Sequence, residues 1–195
     1  MRKVFFITHP DVIMDPKVPV PCWPLSPRGR QRMEKMLSQP WVEGITAVYC
    51  STEQKAVDGA EIFARHCSLG YTQVEALGEI DRSSTGYLNL EKLQPVVEAF
   101  FAHPGESARG WETASAAQQR ILAAVETILQ GDPTPGDIAI VSHGAVGSLL
   151  LCHLKGVPIS IGEKQPGTTG GHYLCFEAQT MKLLHGWEQI DPEGK

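Results

Sequence analysis

VFFITH at residues 4–9 and IAIVSHG at residues 138–144 are two short runs of mainly apolar residues, and each runs directly into a histidine. Both have the length and composition of a buried strand, and turn or helix-forming residues follow each of them. In open α/β sheets, ligands bind at the carboxyl ends of the strands. The sequence therefore predicts that His9 and His143 stand at such strand ends, where they can face one another across one pocket.

Strand-like and helix-like segments alternate along the rest of the chain. A proline-rich loop is expected after the first strand, up to about residue 27. Ser51 or Thr52 is expected to cap the second helix. This order favours a three-layer α/β/α sandwich with a mainly parallel central sheet, in a single domain over residues 1–195. Helices are predicted at about 27–37, 52–67, 88–102, 113–129 and 146–154, and further strands at 45–50, 73–77, 172–177 and 182–187.

Composition narrows the class of protein. The chain has 195 residues, of which 42% are hydrophobic and 20% charged, as in an ordinary globular domain with one core. The formal net charge is -5 and no basic block stands out, which argues against a nucleic-acid surface. We see neither a targeting segment nor an apolar run of about 20 residues, so we expect a cytoplasmic protein without membrane contact. The five cysteines show no Cys-x-x-Cys spacing, so no zinc site or disulfide framework is expected.

Paired histidines suggest a chemistry. A neutral imidazole can act as a nucleophile, while a second, protonated imidazole can hold an anion or stabilise developing charge. A single histidine is more often structural, but two in matching positions at strand ends raise the odds of a functional role. This pairing suits phosphoryl transfer.

Further motifs occur in a fixed order along the chain: PLSPRG at 24–29, VYCS at 48–51, LGEID at 77–81 and GES at 105–107. Together with the two histidine motifs, they resemble the histidine phosphatase superfamily, which includes phosphoglycerate mutases and many phosphomonoesterases. The resemblance implies a phosphoglycerate mutase-like fold and catalysis through a phosphohistidine. It implies His9 as the nucleophile, Glu79 as the proton donor and His143 as a residue of the phosphate pocket.

Departures from the family pattern concentrate at the phosphate-binding arginines. Thr8 stands where the family has the arginine of Arg-His-Gly, Pro10 replaces the glycine, and Lys55 replaces an arginine of the following helix. Arginine binds phosphate through a bidentate fork that neither lysine nor threonine offers, so weaker phosphate binding is expected. Lys55 is either a phosphate ligand or an ordinary residue of the helix surface. The residues expected to contact substrate are Thr8, Lys55, Arg28, Arg82, Ser51, Gly144 and His172.

We predict a phosphomonoester hydrolase that needs no metal and no organic cofactor. Its expected partners are a small phosphorylated substrate or inorganic phosphate, with a homodimer also possible. Two alternatives stay open. One is a catalytically impaired member that serves as a ligand- or partner-binding module, and the other is a phosphotransferase of the phosphoglycerate mutase type.

Overall fold

The structure is a computed structural model that describes residues 1–191. Its strands and helices alternate in nearly the predicted order and places. The strands within these residues are β1 (Lys3–Thr8), β2 (Ile45–Cys50), β3 (Thr72–Gln73), β4 (Asp137–Ser142), β5 (His172–Glu177) and β6 (Leu183–Gln189). The α-helices are α1 (Pro27–Met36), α2 (Gln54–Cys67), α3 (Leu90–Ala102), α4 (Ala114–Gly131) and α5 (Gly144–Lys155).

The strands form one sheet in the order β3-β2-β4-β1-β5-β6. Strands β1 to β4 are mutually parallel, whereas β5 runs antiparallel to β1 and forms a closing hairpin with β6. β1 therefore lies inside the sheet, covered on both faces, which explains its continuous apolar run. The predicted α/β fold with a mainly parallel sheet is confirmed.

Alternate side chains of β1 enter two separate cores. Val4 and Phe6 pack with the apolar faces of α4 and α5 and part of α3. Phe5 and Ile7 point the other way, into a core built with α1 and α2. Helices thus cover both faces of the sheet, and the predicted three layers are confirmed.

Helix starts follow mostly from local capping. The Ser26 hydroxyl accepts the Gly29 N–H at the start of α1, and Asn89 and Thr113 cap α3 and α4 in the same way. The predicted cap of α2 was wrong. Its N-cap residue is Glu53, which makes no side-chain capping bond. β3 is also shorter than predicted, because residues 75–77 form a 3₁₀ turn.

The proline-rich loop after β1 is ordered by a few specific contacts. Val12 and Leu25 form an isolated antiparallel bridge, and the buried Trp23 indole donates to the carbonyls of Asp15 and Val18. A short 3₁₀ turn at Val20–Cys22 directly precedes Trp23. No helix among residues 1–191 is both long and apolar enough to span a membrane.

Candidate active site

Parallel pairing brings the two histidines together. β1 and β4 are neighbours with Thr8 opposite Ser142, so the next residue of each strand lies at the same level of the sheet edge. The ring centroids of His9 and His143 are 5.2 Å apart, with the rings nearly edge to face. The structure places them at one site, as the sequence predicted.

His9 is held by backbone contacts on both sides. Its N–H donates to the Ser142 carbonyl at 3.1 Å, and its carbonyl accepts the Gly171 N–H at 3.2 Å. A Cβ on Gly170, whose φ is +68°, would lie 2.1 Å from the His9 carbonyl oxygen, so only glycine fits there. The ring nitrogen Nδ1 lies 2.9 Å from the Pro10 carbonyl oxygen.

The contact with Pro10 sets the chemistry of the His9 ring. A carbonyl oxygen can only accept, so Nδ1 carries the hydrogen and the lone pair lies on Nε2. Burial lowers the pKa of His9 to about 4. The imidazole is therefore neutral near pH 7, and its Nε2 can act as a nucleophile.

His143 is completely buried, and only one of its two ring nitrogens has a hydrogen-bond partner among the described residues. Its Nε2 lies 2.6 Å from the Ser51 hydroxyl and 3.5 Å from Oε1 of Glu53. Its Nδ1 has no hydrogen-bond partner among the described residues. Burial lowers the pKa of His143 well below its ordinary value, against the attraction of the Glu53 carboxylate. Buried polar atoms are usually hydrogen-bonded, so Nδ1 is available to donate a hydrogen bond to a bound group.

Glu79 reaches the same site from the loop after β3. Its carboxylate accepts the N–H groups of Ile80, Ala145 and Val146, and the last two belong to the first turn of α5. A helix N-terminus is a favourable place for a carboxylate. Burial nevertheless raises the pKa of Glu79, against the charge of Arg82. Glu79 is thus suited to carry a proton that it can give up.

Arg120 on α4 fixes the segment that carries Glu79. Its guanidinium donates to the carbonyls of Ala76, Gly78 and Glu79 at 2.8, 2.9 and 3.2 Å. It also forms an ion pair with Glu112 at 2.8 Å. No motif singled out this residue, because its part in the site is played through backbone atoms.

Lys55 is no surface residue. Its side chain is only 4% exposed, and its Nζ lies 2.6 Å from Oε2 of Glu53 and donates to the Val20 carbonyl at 2.7 Å. Burial acts to raise the pKa of Glu53, but the neighbouring His143 and Lys55 outweigh it and the pKa is lowered to about 2. The cation predicted to bind phosphate thus already has an anionic partner.

Thr8 is committed to the fold. Its completely buried hydroxyl accepts the His172 N–H at 3.0 Å and donates to Oε1 of Gln165 at 2.8 Å. The expected contact between Thr8 and substrate is therefore replaced by a contact with Gln165. The carboxamide of Gln165 packs on Gly144, where a Cβ would lie 2.2 Å from Nε2. The sequence analysis missed Gln165, which belongs to no motif.

The remaining predicted residues divide between two places. Arg82 lies close enough for its charge to lower the pKa of both His9 and His143, although burial has the larger effect on each. Arg28 and His172 line a separate cleft of about 450 Å³. The Arg28 side chain is 73% exposed there. Neither residue lines the cavity in front of His9, so their contact with substrate stays a prediction.

A cavity of about 270 Å³ opens in front of His9 and Glu79. Gly144 and Gln165 form part of its polar side, together with residues of the glycine-rich loop 167–170. One face of α3 forms an apolar wall on the other side, with positions at helical spacing. That wall consists of Leu90, Leu93, Val97 and Phe101.

Comparison with known families decides the relationship. The model of the histidine phosphatase superfamily, branch 1, matches residues 22–185. This chain belongs to the histidine phosphatase superfamily. The match covers most of the chain and includes the segment of Glu79 and that of His143, while His9 lies before it.

Solved structures share the fold at low sequence identity. The mycobacterial glucosyl-3-phosphoglycerate phosphatase in complex with inorganic phosphate has a TM-score of 0.81 at 14% identity, covering 99% of this chain and 100% of that one. YhfR of Bacillus stearothermophilus has a TM-score of 0.75 at 21% identity and 95% coverage of both chains. The α-ribazole phosphatase of Shigella flexneri has a TM-score of 0.73 at 17% identity and 99% coverage of both. No curated protein sequence matches the chain.

Proposed function

We propose that this superfamily member is a phosphomonoesterase in which His9 receives the phosphoryl group. One observation carries the proposal. The neutral ring of His9 is fixed through Nδ1 with Nε2 left for reaction, and it faces His143, whose buried Nδ1 lacks a hydrogen-bond partner within residues 1–191. A phosphoryl group between the rings would meet a nucleophile on one side and a hydrogen-bonding nitrogen on the other.

The first step transfers the phosphoryl group to the protein. The lone pair of His9 Nε2 attacks phosphorus as the bond to the ester oxygen breaks. Glu79 gives its proton to that oxygen, so the product leaves as a neutral alcohol. The raised pKa of Glu79 supports this role, because the carboxyl group must be protonated before the step.

The second step returns the protein to its starting state. The Glu79 carboxylate takes a proton from water, and the resulting nucleophile attacks phosphorus and breaks the bond to Nε2. Inorganic phosphate leaves, while His9 becomes neutral and Glu79 is again protonated. We assign to Lys55, Arg82 and His143 the stabilisation of charge on the transferred oxygens.

The cavity walls suggest what alcohol is released. The apolar face of α3 runs from Leu90, which is 64% exposed at the rim, to Phe101, which is buried. Apolar contacts of this kind favour an ester whose alcohol portion is itself apolar or aromatic. A mutase must hold an anionic intermediate between its two steps, and the pairing of Lys55 with Glu53 gives that activity less support.

A second candidate is a binding module that no longer turns over. The same ion pair favours it, since Lys55 replaces an arginine and its charge is partly neutralised. Glu53 itself would also oppose an incoming dianion. A binding module and a phosphatase would share this fold and this cavity, so a measurement of catalytic turnover is needed to distinguish them.

Hydrolysis of 4-nitrophenyl phosphate tests the proposal, with and without EDTA. No group of three or more His, Cys, Asp or Glu within residues 1–191 is placed to hold a metal ion. We expect turnover that survives EDTA, together with an acid-labile phosphoprotein whose phosphate maps to His9 by mass spectrometry. His66→Ala is the matched control, because that histidine is exposed on α2. Phosphate binding without turnover or phosphoprotein would favour the binding module.

A further inference from the structure

Glu53 is a carboxylate among the groups assigned to the phosphoryl oxygens. Its side chain is 12% exposed. Oε2 lies 2.6 Å from the Lys55 ammonium, while Oε1 accepts the Glu79 N–H at 2.8 Å and lies 3.5 Å from Nε2 of His143. Three of the site's functional segments therefore meet on this one side chain.

A carboxylate in this position affects which charge state of a phosphoryl group the site can bind. A fully ionised phosphoryl group would bring two negative charges towards Glu53, in a partly buried site where charges are weakly screened. A phosphoryl group that keeps one proton carries less charge, and its P–OH can donate a short, charge-assisted hydrogen bond to the carboxylate. The same residue thus opposes one form and binds the other.

We propose that Glu53 makes this site selective for the singly protonated form of the phosphoryl group, by accepting a hydrogen bond from its P–OH. The inference rests on the proposed function, because it takes the space beside the His9 and His143 rings, whose centroids are 5.2 Å apart, as the phosphate site. It deepens that function by naming the ionic form of the substrate that the site accepts.

Several other charged or titratable groups face Glu53, and they must be separated from the ligand's own titration. They are Lys55 from α2, His143 from the end of β4, His9 from the end of β1, Glu79 and Arg82 from the loop after β3, and Arg120 from α4. Burial lowers the pKa of both histidines, which favours their neutral forms. Burial raises the pKa of Glu79, so a second anion is needed as a reference for the titration of the protein.

Sulfate supplies that reference. It has the shape of phosphate and carries no proton between pH 5 and 8, so it reports the titration of the protein alone. Calorimetry of the wild-type protein with each anion should show phosphate binding about 10- to 100-fold more tightly than sulfate at pH 5.5, the value of one charge-assisted hydrogen bond. Above the second pKa of phosphate, the ratio of phosphate affinity to sulfate affinity should fall about tenfold per pH unit. It falls in proportion to the fraction of phosphate that keeps the proton needed for the bond to Glu53.

Glu53→Gln keeps the side-chain shape and an oxygen that can accept the Glu79 N–H. We expect it to bind sulfate more tightly than the wild type, so that the preference for phosphate shrinks to within about threefold, because a neutral amide no longer repels the dianion. Glu61→Gln is the matched control, since Glu61 lies on α2, which begins directly after Glu53, and its side chain is half exposed. It should leave both affinities unchanged.

The outcomes separate this inference from the proposed function. Equal affinity for phosphate and sulfate at every pH would overturn the role of Glu53 and leave the phosphate site standing. A folded Glu53→Gln protein with an unchanged preference would do the same. If that variant fails to fold, the wild-type pH series still decides. Binding of neither anion to wild type or variant would remove the phosphate site, and with it both proposals.

Discussion

Two polar clusters lie on the same sheet in this protein, and they differ in how completely their polar groups are hydrogen-bonded. One lies before the starts of β1 and β4, where Arg2 donates to Asp132, Thr134 and the Gly136 carbonyl. The Tyr49 hydroxyl also donates to Asp132, at 2.6 Å. The other cluster contains His9, His143 and Glu79 at the carboxyl ends of the strands.

The difference lies in what each cluster leaves unsatisfied. Every charge near Asp132 has a partner within the chain, and although burial opposes ionisation, the bonds from Thr134, Tyr49 and Arg2 lower the pKa of Asp132 to about 2. At the histidine edge, a buried ring nitrogen has no partner in the described chain, and burial raises the pKa of Glu79. Glu53 at the histidine edge has a lowered pKa like Asp132, so the raised pKa of Glu79 is the feature that sets the two clusters apart and agrees with the proposed chemical role.

Removal of the proposed nucleophile, His9, should give the largest difference between the two clusters in their effect on activity. His9→Ala is expected to lower kcat for 4-nitrophenyl phosphate by about 10³-fold or more, as with other covalent nucleophiles. Thermal melts should stay close to wild type. Asp132→Asn provides the contrast, with kcat within about twofold in whatever fraction is folded. Wild-type turnover by His9→Ala would take the chemical role away from the histidine edge.

Glu79→Gln should have the next largest effect, a loss of about 10²- to 10⁴-fold in kcat typical of general acids. The loss should be greater for an alkyl phosphate than for 4-nitrophenyl phosphate, whose leaving group needs less protonation. In the wild type, kcat for the alkyl ester should fall as pH rises through the raised pKa of Glu79, because the acid form is consumed. An equal loss for both esters would argue against a proton donor.

Asp132→Asn should lower the free energy of unfolding by about 1–3 kcal/mol, because a buried, charge-assisted hydrogen bond is lost. The folded-state pKa of about 2 lies below the ordinary value of 3.8, so ionised Asp132 stabilises the fold above pH 4 and loses this effect as pH falls towards 2. Urea unfolding at pH 7 and pH 3 should show the gap between wild type and variant narrowing in acid. A gap that widens in acid would contradict this assignment.

Gln165→Met should give the smallest change. Loss of one neutral hydrogen-bonding side chain from the cavity is expected to weaken phosphate inhibition about 3- to 10-fold, with kcat nearly unchanged. The measurement is the inhibition constant against 4-nitrophenyl phosphate, with melts to follow the lost Thr8 contact. A lower melting temperature with unchanged inhibition would make Gln165 purely structural, like the Arg2 and Asp132 cluster.

The sequence predicted the fold well because apolar periodicity and caps are local signals. It also predicted the meeting of His9 and His143, since strand ends in a parallel sheet share an edge. It could not foresee the pairing of Glu53 with Lys55, or the hydrogen bond between Thr8 and Gln165, because both depend on side-chain positions set by distant segments. An arginine at position 8 would now have to displace the Gln165 carboxamide and lose the bond to β5.

The position of β1 has a consequence for how the protein is made. β1 is synthesised first, yet both of its neighbours come late, with β4 beginning at Asp137 and β5 ending at Glu177. At about 5–20 residues per second, roughly 7–27 s pass on the ribosome between the synthesis of β1 and that of β4, its first partner. During that interval, Val4–Ile7 form an apolar segment without either of its strand partners, and unpaired apolar strands are prone to aggregate.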